Sequence, residues 1–127
     1  MMTKSFFAAT VLALAAGAAC ATAVVGQPAP AFTAVDATGK AVSLADFKGK
    51  HVVLEWINPG CPFVQKHYSS ANMQDTQKEA TAKGVVWLAI NSTAADASDY
   101  KPPAAMAQWM QSQKAAATAT LMDAEGK

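Results

Sequence analysis

The 127-residue sequence contains no arginine and only two cysteines, Cys20 and Cys61. Its ten lysines and nine acidic residues are scattered along the chain, so it has no clustered basic surface of the kind that binds nucleic acid. A net charge of +1 without any polybasic run also argues against electrostatic attachment to a membrane. Two cysteines are too few for a disulfide framework. The length allows one domain.

The N-terminal region has the pattern of a secretory signal. Lys4 supplies a positive charge, residues 6–19 are apolar or small, and Ala18 to Ala23 offers small-residue cleavage sites. The apolar run is too short for a comfortable membrane span, and no stop-transfer pattern follows it. We therefore expect a signal peptide over 1–23, a single domain over 24–127, and export to the bacterial periplasm. A buried N-terminal helix is the alternative.

Cys20 leaves a second interpretation of this region open. If it is retained and lipidated, the protein is anchored to a membrane, but Gly17 stands where lipoprotein signals usually carry a bulky aliphatic residue. Cleavage after Ala23 would remove Cys20 and leave Cys61 as the one thiol. A single thiol cannot form an internal disulfide, so it is either buried and inert or exposed and reactive.

Hydrophobic patterning beyond the signal predicts strands. The segments 32–35 and 41–43 flank a turn at Gly39 and predict a β-hairpin. Near-continuous apolar runs at 52–57 and 85–90 are typical of strands that are covered on both faces.

Two helices and a third strand complete the alternation. Residues 62–83 contain no Gly or Pro after Pro62, and Gly84 ends the segment, which predicts one long helix. Pro102 and Pro103 open a second helix, whose apolar face consists of Met106, Trp109 and Met110. With a strand at 118–122, the pattern predicts a parallel or mixed sheet with right-handed crossovers.

Residues 123–127 resemble the turn of a hairpin that lacks its second strand. Because a hairpin turn needs a following strand, and a newly exposed edge strand at a C-terminus is unusual, we expect the sequence to be a fragment of a longer domain.

Cys61 lies between a predicted strand and the start of the long helix. Unpaired N–H groups and the positive end of the helix dipole favour a thiolate at such a position. A thiolate there is a nucleophile toward disulfides or peroxides. The alternative is a small buried hydrophobic residue. The loop Asn58–Pro62, rich in proline and glycine, favours an exposed sulfur.

From about Gly26 onward, the chain resembles the thioredoxin-like redoxins of the alkyl hydroperoxide reductase/thiol-specific antioxidant (AhpC/TSA) group. The resemblance rests on four segments: Gln27–Phe32, Val42–Lys50, the strand ending Glu55-Trp56, and Cys61-Pro-Phe-Val with Lys66-His-Tyr68 after it. It implies an α/β, thioredoxin-like fold with an N-terminal β-hairpin extension and a mixed central sheet flanked by helices. It also implies antioxidant, peroxide or thiol–disulfide chemistry at Cys61, without a cofactor.

The sequence departs from that family pattern at three positions and in one residue type. Val64 stands where thioredoxins have their second cysteine, so a resolving thiol must come from elsewhere, such as an external thiol reductant. Asn58 replaces the Thr or Ser found three residues before a peroxidatic cysteine, although it can still hydrogen-bond a peroxide or the thiolate. Leu54 replaces the Pro found four residues before that Thr or Ser. The arginine that such proteins place beside the thiolate lies later in their fold, and this chain has none.

Glu55 is the third candidate catalytic residue, after Cys61 and Asn58. It lies six residues before Cys61, where thioredoxins have a buried acid. A carboxyl within an apolar strand costs free energy unless it is neutral or paired, and burial makes it a better proton acceptor for a nearby thiol. The alternative is an outward-facing residue on a partly covered strand.

A metal site is not expected. Cys61 and His67 would be two ligands without a third, and six residues correspond to about 600° of helix rotation, which is not a same-face spacing. The three tryptophans are expected in the core. The leading hypothesis is an exported redox protein that acts through Cys61 on a thiol/disulfide protein or a small peroxide. The alternatives are a non-catalytic binding module or metallochaperone, and a structural domain with an inert thiol.

Overall fold

A computed structural model describes residues 22–126. Cys20 and nearly all of the predicted signal peptide lie outside this range. The chain divides into a unit over 1–30 and a unit over 31–127. In the described part of the first unit, the Gln27 N–H donates to the Val24 carbonyl at 3.1 Å and closes a turn. Over residues 22–126, no helix has the length and apolar character needed to cross a bilayer.

The second unit is built on a five-stranded mixed sheet. Its strands are β1 (Thr33–Asp36), β2 (Ala41–Ser43), β3 (Val52–Trp56), β4 (Val86–Asn91) and β5 (Ala119–Met122). The order is β2-β1-β5-β4-β3. The β1–β2 and β1–β5 pairs are antiparallel, whereas β4 runs parallel to both β3 and β5. The predicted α/β fold, with its hairpin and mixed sheet, is confirmed.

The hairpin turn is held by one carboxylate. Asp36 Oδ1 accepts hydrogen bonds from the Thr38 hydroxyl at 2.6 Å, the Thr38 N–H at 2.8 Å and the Lys40 N–H at 3.0 Å. These bonds, led by the Thr38 hydroxyl, lower the pKa of Asp36. Gly39 has φ +90°, a conformation that glycine adopts without a steric penalty. The sequence Asp36–Lys40 therefore fixes the turn locally.

The helices are α1 (Pro62–Ser69), α2 (Asn72–Ala82) and α3 (Pro103–Ser112), and a 3-10 turn spans Leu44–Phe47. The predicted single helix over 62–83 is wrong, because the chain breaks at Ala71, which has φ 61°. The break redirects α2 so that the Gln74 amide reaches the carbonyls of Tyr68 and Gln113, both at 2.8 Å. These bonds outweigh the local preference for one continuous helix, which the absence of Gly and Pro in this segment predicts.

Successive residues of β3 and β4 point to the two opposite faces of the sheet. The helix face carries Glu55, Trp87 and Ala89, and its apolar cluster joins Ala89 to Tyr68 of α1 and Met106 of α3. The open face carries a second cluster, which includes Leu88, Ile90 and Leu121, together with Leu54 and Trp56 of β3.

The open face corrects two predictions. β3 is not covered on both faces, since Leu54 is 38% exposed and Trp56 is 62% exposed. Trp56 is therefore not a core residue, whereas Trp87 is buried and Trp109 packs its ring 5.0 Å from that of Tyr68. An apolar groove of about 480 Å³ runs along this face beside Leu54, Trp56 and Leu121.

Candidate active site

Cys61 occupies the N-cap position of α1. Its backbone is extended, with φ −75° and ψ 125°, and Pro62 begins the helix. The Cys61 carbonyl accepts the first helical hydrogen bond, from the Gln65 N–H at 3.0 Å. The thiol is free and partly exposed, and it makes no capping hydrogen bond. The sulfur is thus placed at the positive end of the helix dipole, as the sequence predicts.

Asn58 organises the loop that carries Cys61. Its side-chain oxygen accepts from the Gly60 N–H at 2.7 Å, and its carbonyl accepts from the Cys61 N–H at 2.9 Å. Its side-chain amide donates to Asp99 Oδ2 at 2.7 Å. The Gln65 amide adds a bond to the Pro59 carbonyl at 2.9 Å. These bonds fix the backbone on both sides of Gly60, so the loop holds the Cys61 backbone at the start of α1.

An open pocket of about 460 Å³ lies over the thiol. Its apolar side is formed by Trp56, Ile57, Val64 and Ala97, and its polar side by Asn58, Ser92, Thr93 and Asp99. Four of these lining residues, Ser92, Thr93, Ala97 and Asp99, belong to the loop between β4 and α3. Access to Cys61 is therefore between an apolar wall and hydroxyl, amide and carboxylate groups.

Glu55 lies in a polar network on the helix face. Its carboxylate accepts from Trp87 Nε1 at 2.6 Å, from the Gln77 amide at 3.0 Å and from the Tyr68 hydroxyl at 3.1 Å. Gln77 also donates to the Tyr68 oxygen at 3.0 Å and accepts from the Ala116 N–H at 2.8 Å. Burial, and then the charge of Glu55, raise the pKa of the Tyr68 hydroxyl above its ordinary range.

The structure brings two of the three predicted site residues together. Asn58 and Cys61 line one pocket, whereas Glu55 does not line it and uses its oxygens for α1, α2 and β4. Sequence reasoning missed Asp99, which is 41 positions from Asn58 and packs against its loop. One feature of the sequence could have indicated it. Asp99 is an acidic residue in the segment just before Pro102, and this segment has neither a helix nor a strand pattern. Within residues 22–126, no three His, Cys, Asp or Glu side chains form a group that could hold a metal ion.

The sheet is thioredoxin-like, and a cysteine lies at the start of the helix that follows β3. This arrangement defines a thiol-redox fold. The family model of the AhpC/TSA family matches residues 25–127. The chain belongs to the AhpC/TSA family.

Individual relatives agree with this assignment. The chain is 35% identical over 74 residues to the bcp protein of Haemophilus influenzae, whose name marks it as a peroxiredoxin candidate, with 55% of this chain and 44% of that protein covered. An uncharacterised conserved protein from Geobacillus kaustophilus has a similar structure, with 27% identity, a TM-score of 0.68, and coverage of 77% of this chain and 51% of its own.

The thioredoxin domain of a thiol-disulfide oxidoreductase from Bacteroides vulgatus is also similar. The match has 25% identity and a TM-score of 0.56, and it covers 80% of this chain and 65% of that domain. The chain thus spans roughly half of the Haemophilus influenzae and Geobacillus kaustophilus proteins, and under two thirds of the Bacteroides vulgatus domain.

Proposed function

We propose that this protein is an exported, thiol-dependent redox protein in which Cys61 reduces a small peroxide or exchanges with a disulfide. The observation that carries the proposal is the placement of a free, partly exposed thiol at the N-cap of α1, inside an open pocket. Membership of the AhpC/TSA family supports it. The similar proteins named for peroxiredoxin and for thiol-disulfide oxidoreductase chemistry agree with these two substrate classes.

In the peroxide reaction, the Cys61 thiolate attacks one peroxide oxygen, an S–O bond forms, and the O–O bond breaks. The leaving alkoxide takes a proton and departs as an alcohol, so the peroxide is reduced and Cys61 is oxidised to sulfenic acid. Asn58 holds the loop, and its amide group lies at the pocket for hydrogen bonding to the peroxide.

Recovery of the thiol uses an external reductant, because Val64 occupies the position of a local resolving cysteine. A first external thiol condenses with the sulfenic acid, releasing water and forming a mixed disulfide. A second thiol attacks that disulfide, which frees Cys61 and releases the oxidised reductant. With a disulfide substrate, the Cys61 thiolate attacks one sulfur and the substrate S–S bond breaks. The other half leaves as a thiolate, so the mixed disulfide forms in one step.

Glu55 was expected to be the proton partner of Cys61, and this role stays a prediction. Its three hydrogen bonds favour a different part, in which the carboxylate positions α1 through Tyr68 and leaves proton transfer to solvent in the open pocket. A Glu55→Gln variant distinguishes the two. A proton partner would change the pH profile of Cys61 alkylation, whereas a positioning residue would lower stability and leave the profile's shape unchanged.

The direct test is trapping of the oxidised thiol. After peroxide treatment of the full chain, dimedone should label the tryptic peptide 51–66, which contains Cys61 and no other cysteine. Cys61→Ser should abolish the label, and peroxide consumption should continue only with added thiol. Absence of both labelling and rapid alkylation of the native protein would leave Cys61 as a packing residue.

Export is tested separately. We propose that residues 1–23 are removed, on the charge, apolar run and small-residue sites of the sequence. Mass analysis of protein from a periplasmic fraction should find an N-terminus near Ala21 to Val24 without a lipid. An intact Met1 or an acylated Cys20 would contradict this.

A further inference from the structure

Asp99 is an acidic residue placed against the thiol loop by long-range contacts. It lies in the loop between β4 and α3, and its Oδ2 accepts from the Asn58 amide at 2.7 Å. Asn58 in turn bonds the Gly60 and Cys61 backbone N–H groups, at 2.7 and 2.9 Å. The Asp99 carboxylate is therefore tied through one residue to the backbone that carries the sulfur.

Gly60 shows how closely Asp99 approaches this backbone. A Cβ atom at position 60 would lie 2.8 Å from Asp99 Oδ2 and 3.1 Å from Asp99 Cβ. Real Cβ atoms do not come so close to a neighbouring atom, so glycine at this position makes room for the acid. The carboxylate thus packs directly on the residue that precedes Cys61.

The charge of Asp99 is isolated. Besides Cys61, Asp99 is the one acidic or basic residue among the described residues that line the Cys61 pocket. The ion pairs found over residues 22–126 are Asp75–Lys78 and Glu79–Lys83, both on or beside α2. The negative potential at the pocket is therefore not cancelled by an ion pair in this part of the chain.

We propose that Asp99 determines which partners reach Cys61, by admitting neutral and cationic molecules and repelling anionic ones. The inference deepens the proposed thiol chemistry and rests on it. It assigns as partners neutral hydroperoxides and disulfides flanked by basic side chains, and it disfavours peroxides or thiols that carry a carboxylate. The physical basis is the Coulomb interaction between a fixed carboxylate and a charged reactant in the same pocket.

The test compares two thiol reagents of similar size and opposite charge on the full chain. These are a trimethylammonium-ethyl and a sulfonato-ethyl methanethiosulfonate, and labelling is followed in the tryptic peptide 51–66. Both react with the same thiolate, so the ratio of their rates does not depend on the ionisation of Cys61. We expect Asp99→Asn, which keeps an acceptor oxygen for Asn58, to lower the cation-to-anion rate ratio about fivefold at low salt.

Three controls separate charge from structure. Asp99→Glu keeps the charge and should retain most of the wild-type ratio. Asp99 and Asp96 are both exposed and lie in the same loop. Asp96→Asn removes the same charge and should leave the ratio unchanged, because Asp96 does not line the pocket. Raising the ionic strength should bring the wild-type ratio toward that of Asp99→Asn, since salt screens exposed charges.

The outcomes distinguish this inference from the proposed function. If Asp99→Asn and wild type give the same ratio while peroxide still yields a dimedone-labelled Cys61, the role of Asp99 is wrong and the thiol chemistry stands. If the ratio falls as expected but peroxide gives no sulfenic acid, the charge filter is real and the peroxide chemistry is wrong. If neither reagent labels Cys61, both proposals are overturned.

Discussion

Neighbouring residues of β3 lie in two opposite environments. Glu55 points to the helix face, where three donors from α1, α2 and β4 bind its carboxylate. Leu54 and Trp56, on either side of it, point to the open face and are 38% and 62% exposed. The charged residue of this strand is thus better enclosed than its apolar neighbours, which reverses the usual relation between polarity and burial.

The helix face is specified by hydrogen bonds as much as by apolar packing. Gln77 is fully buried and contacts Glu55, Tyr68 and the Ala116 N–H with its one side-chain amide. A buried polar network of this kind is stabilising only when its members are satisfied, because an unpaired group loses its hydration without compensation. The network therefore fixes the relative positions of α1, α2 and the sheet.

The open face is mainly apolar. Its groove is lined by Leu54, Trp56 and Leu121, with Asp123 and Glu125 at its polar end. Trp56 belongs both to this groove and to the wall of the Cys61 pocket. The thiol therefore lies at the border between a face held by directional bonds and a face with exposed apolar surface.

The largest expected effect comes from truncating adjacent residues of β3. Glu55→Ala should lower the free energy of unfolding of the full chain by about 2–4 kcal/mol, because Tyr68, Gln77 and Trp87 lose a shared acceptor. Leu54→Ala should cost about 1 kcal/mol or less, since its side chain already contacts solvent. Urea unfolding followed by far-ultraviolet circular dichroism measures both without relying on tryptophan emission.

The opposite ranking of the two variants would contradict the contrast between the two faces of β3. If Leu54→Ala cost as much as Glu55→Ala, the open face would be covered in solution and the contrast between the two faces would be wrong. Val53→Ala serves as a matched control, because it truncates a half-buried apolar residue of the same strand on the helix-face side.

Much of this arrangement could be predicted from the sequence, and the failures have physical causes. The strands, the hairpin turn and the position of Cys61 before a helix follow from local patterns of apolar residues, Gly39 and Pro62. The break at Ala71 does not, because α2 after the break is held in part by a bond from Gln74 to the Gln113 carbonyl, 39 positions away.

Two further features lay beyond local patterns. The apolar run of β3 has the same composition whether or not its second face is covered, so exposure of Trp56 could not be inferred from it. The contact between Asp99 and Asn58 joins residues 41 positions apart and needs the folded sheet. The partners of Glu55, on α1, α2 and β4, were hidden for the same reason.

A second prediction uses pH to isolate the helix face. The raised pKa of Tyr68 means that the folded state favours the neutral phenol, so this contribution to stability is present below the unfolded-state pKa of about 10. It is lost as pH rises above that value, by up to about 1.4 kcal/mol for each pH unit. The stability advantage of wild type over Tyr68→Phe, measured by urea unfolding, should therefore shrink between pH 9 and pH 11.

Tyr100→Phe is the matched control, since it removes the other tyrosine, which lies outside the Glu55 network. All variants share the ionisation of lysines in this range, so only the difference between them is informative. A constant gap between wild type and Tyr68→Phe from pH 9 to pH 11 would show that the hydroxyl is hydrated and the network open.

The smallest effect tests the break that lets α2 turn toward the helix face. Ala71 has φ 61°, a conformation that costs a residue with a Cβ roughly 1 kcal/mol and costs glycine little. Ala71→Gly should therefore raise the free energy of unfolding by about 0.5–1 kcal/mol. Ala80→Gly lies inside α2, where the same change should lower it by about 0.5–1 kcal/mol. The opposite signs, measured together by chemical unfolding, separate a left-handed break from a continuous helix. Two losses of similar size would mean that residues 62–83 are helical throughout in solution, and Gln74 and Gln77 would then need another route to their partners on the helix face.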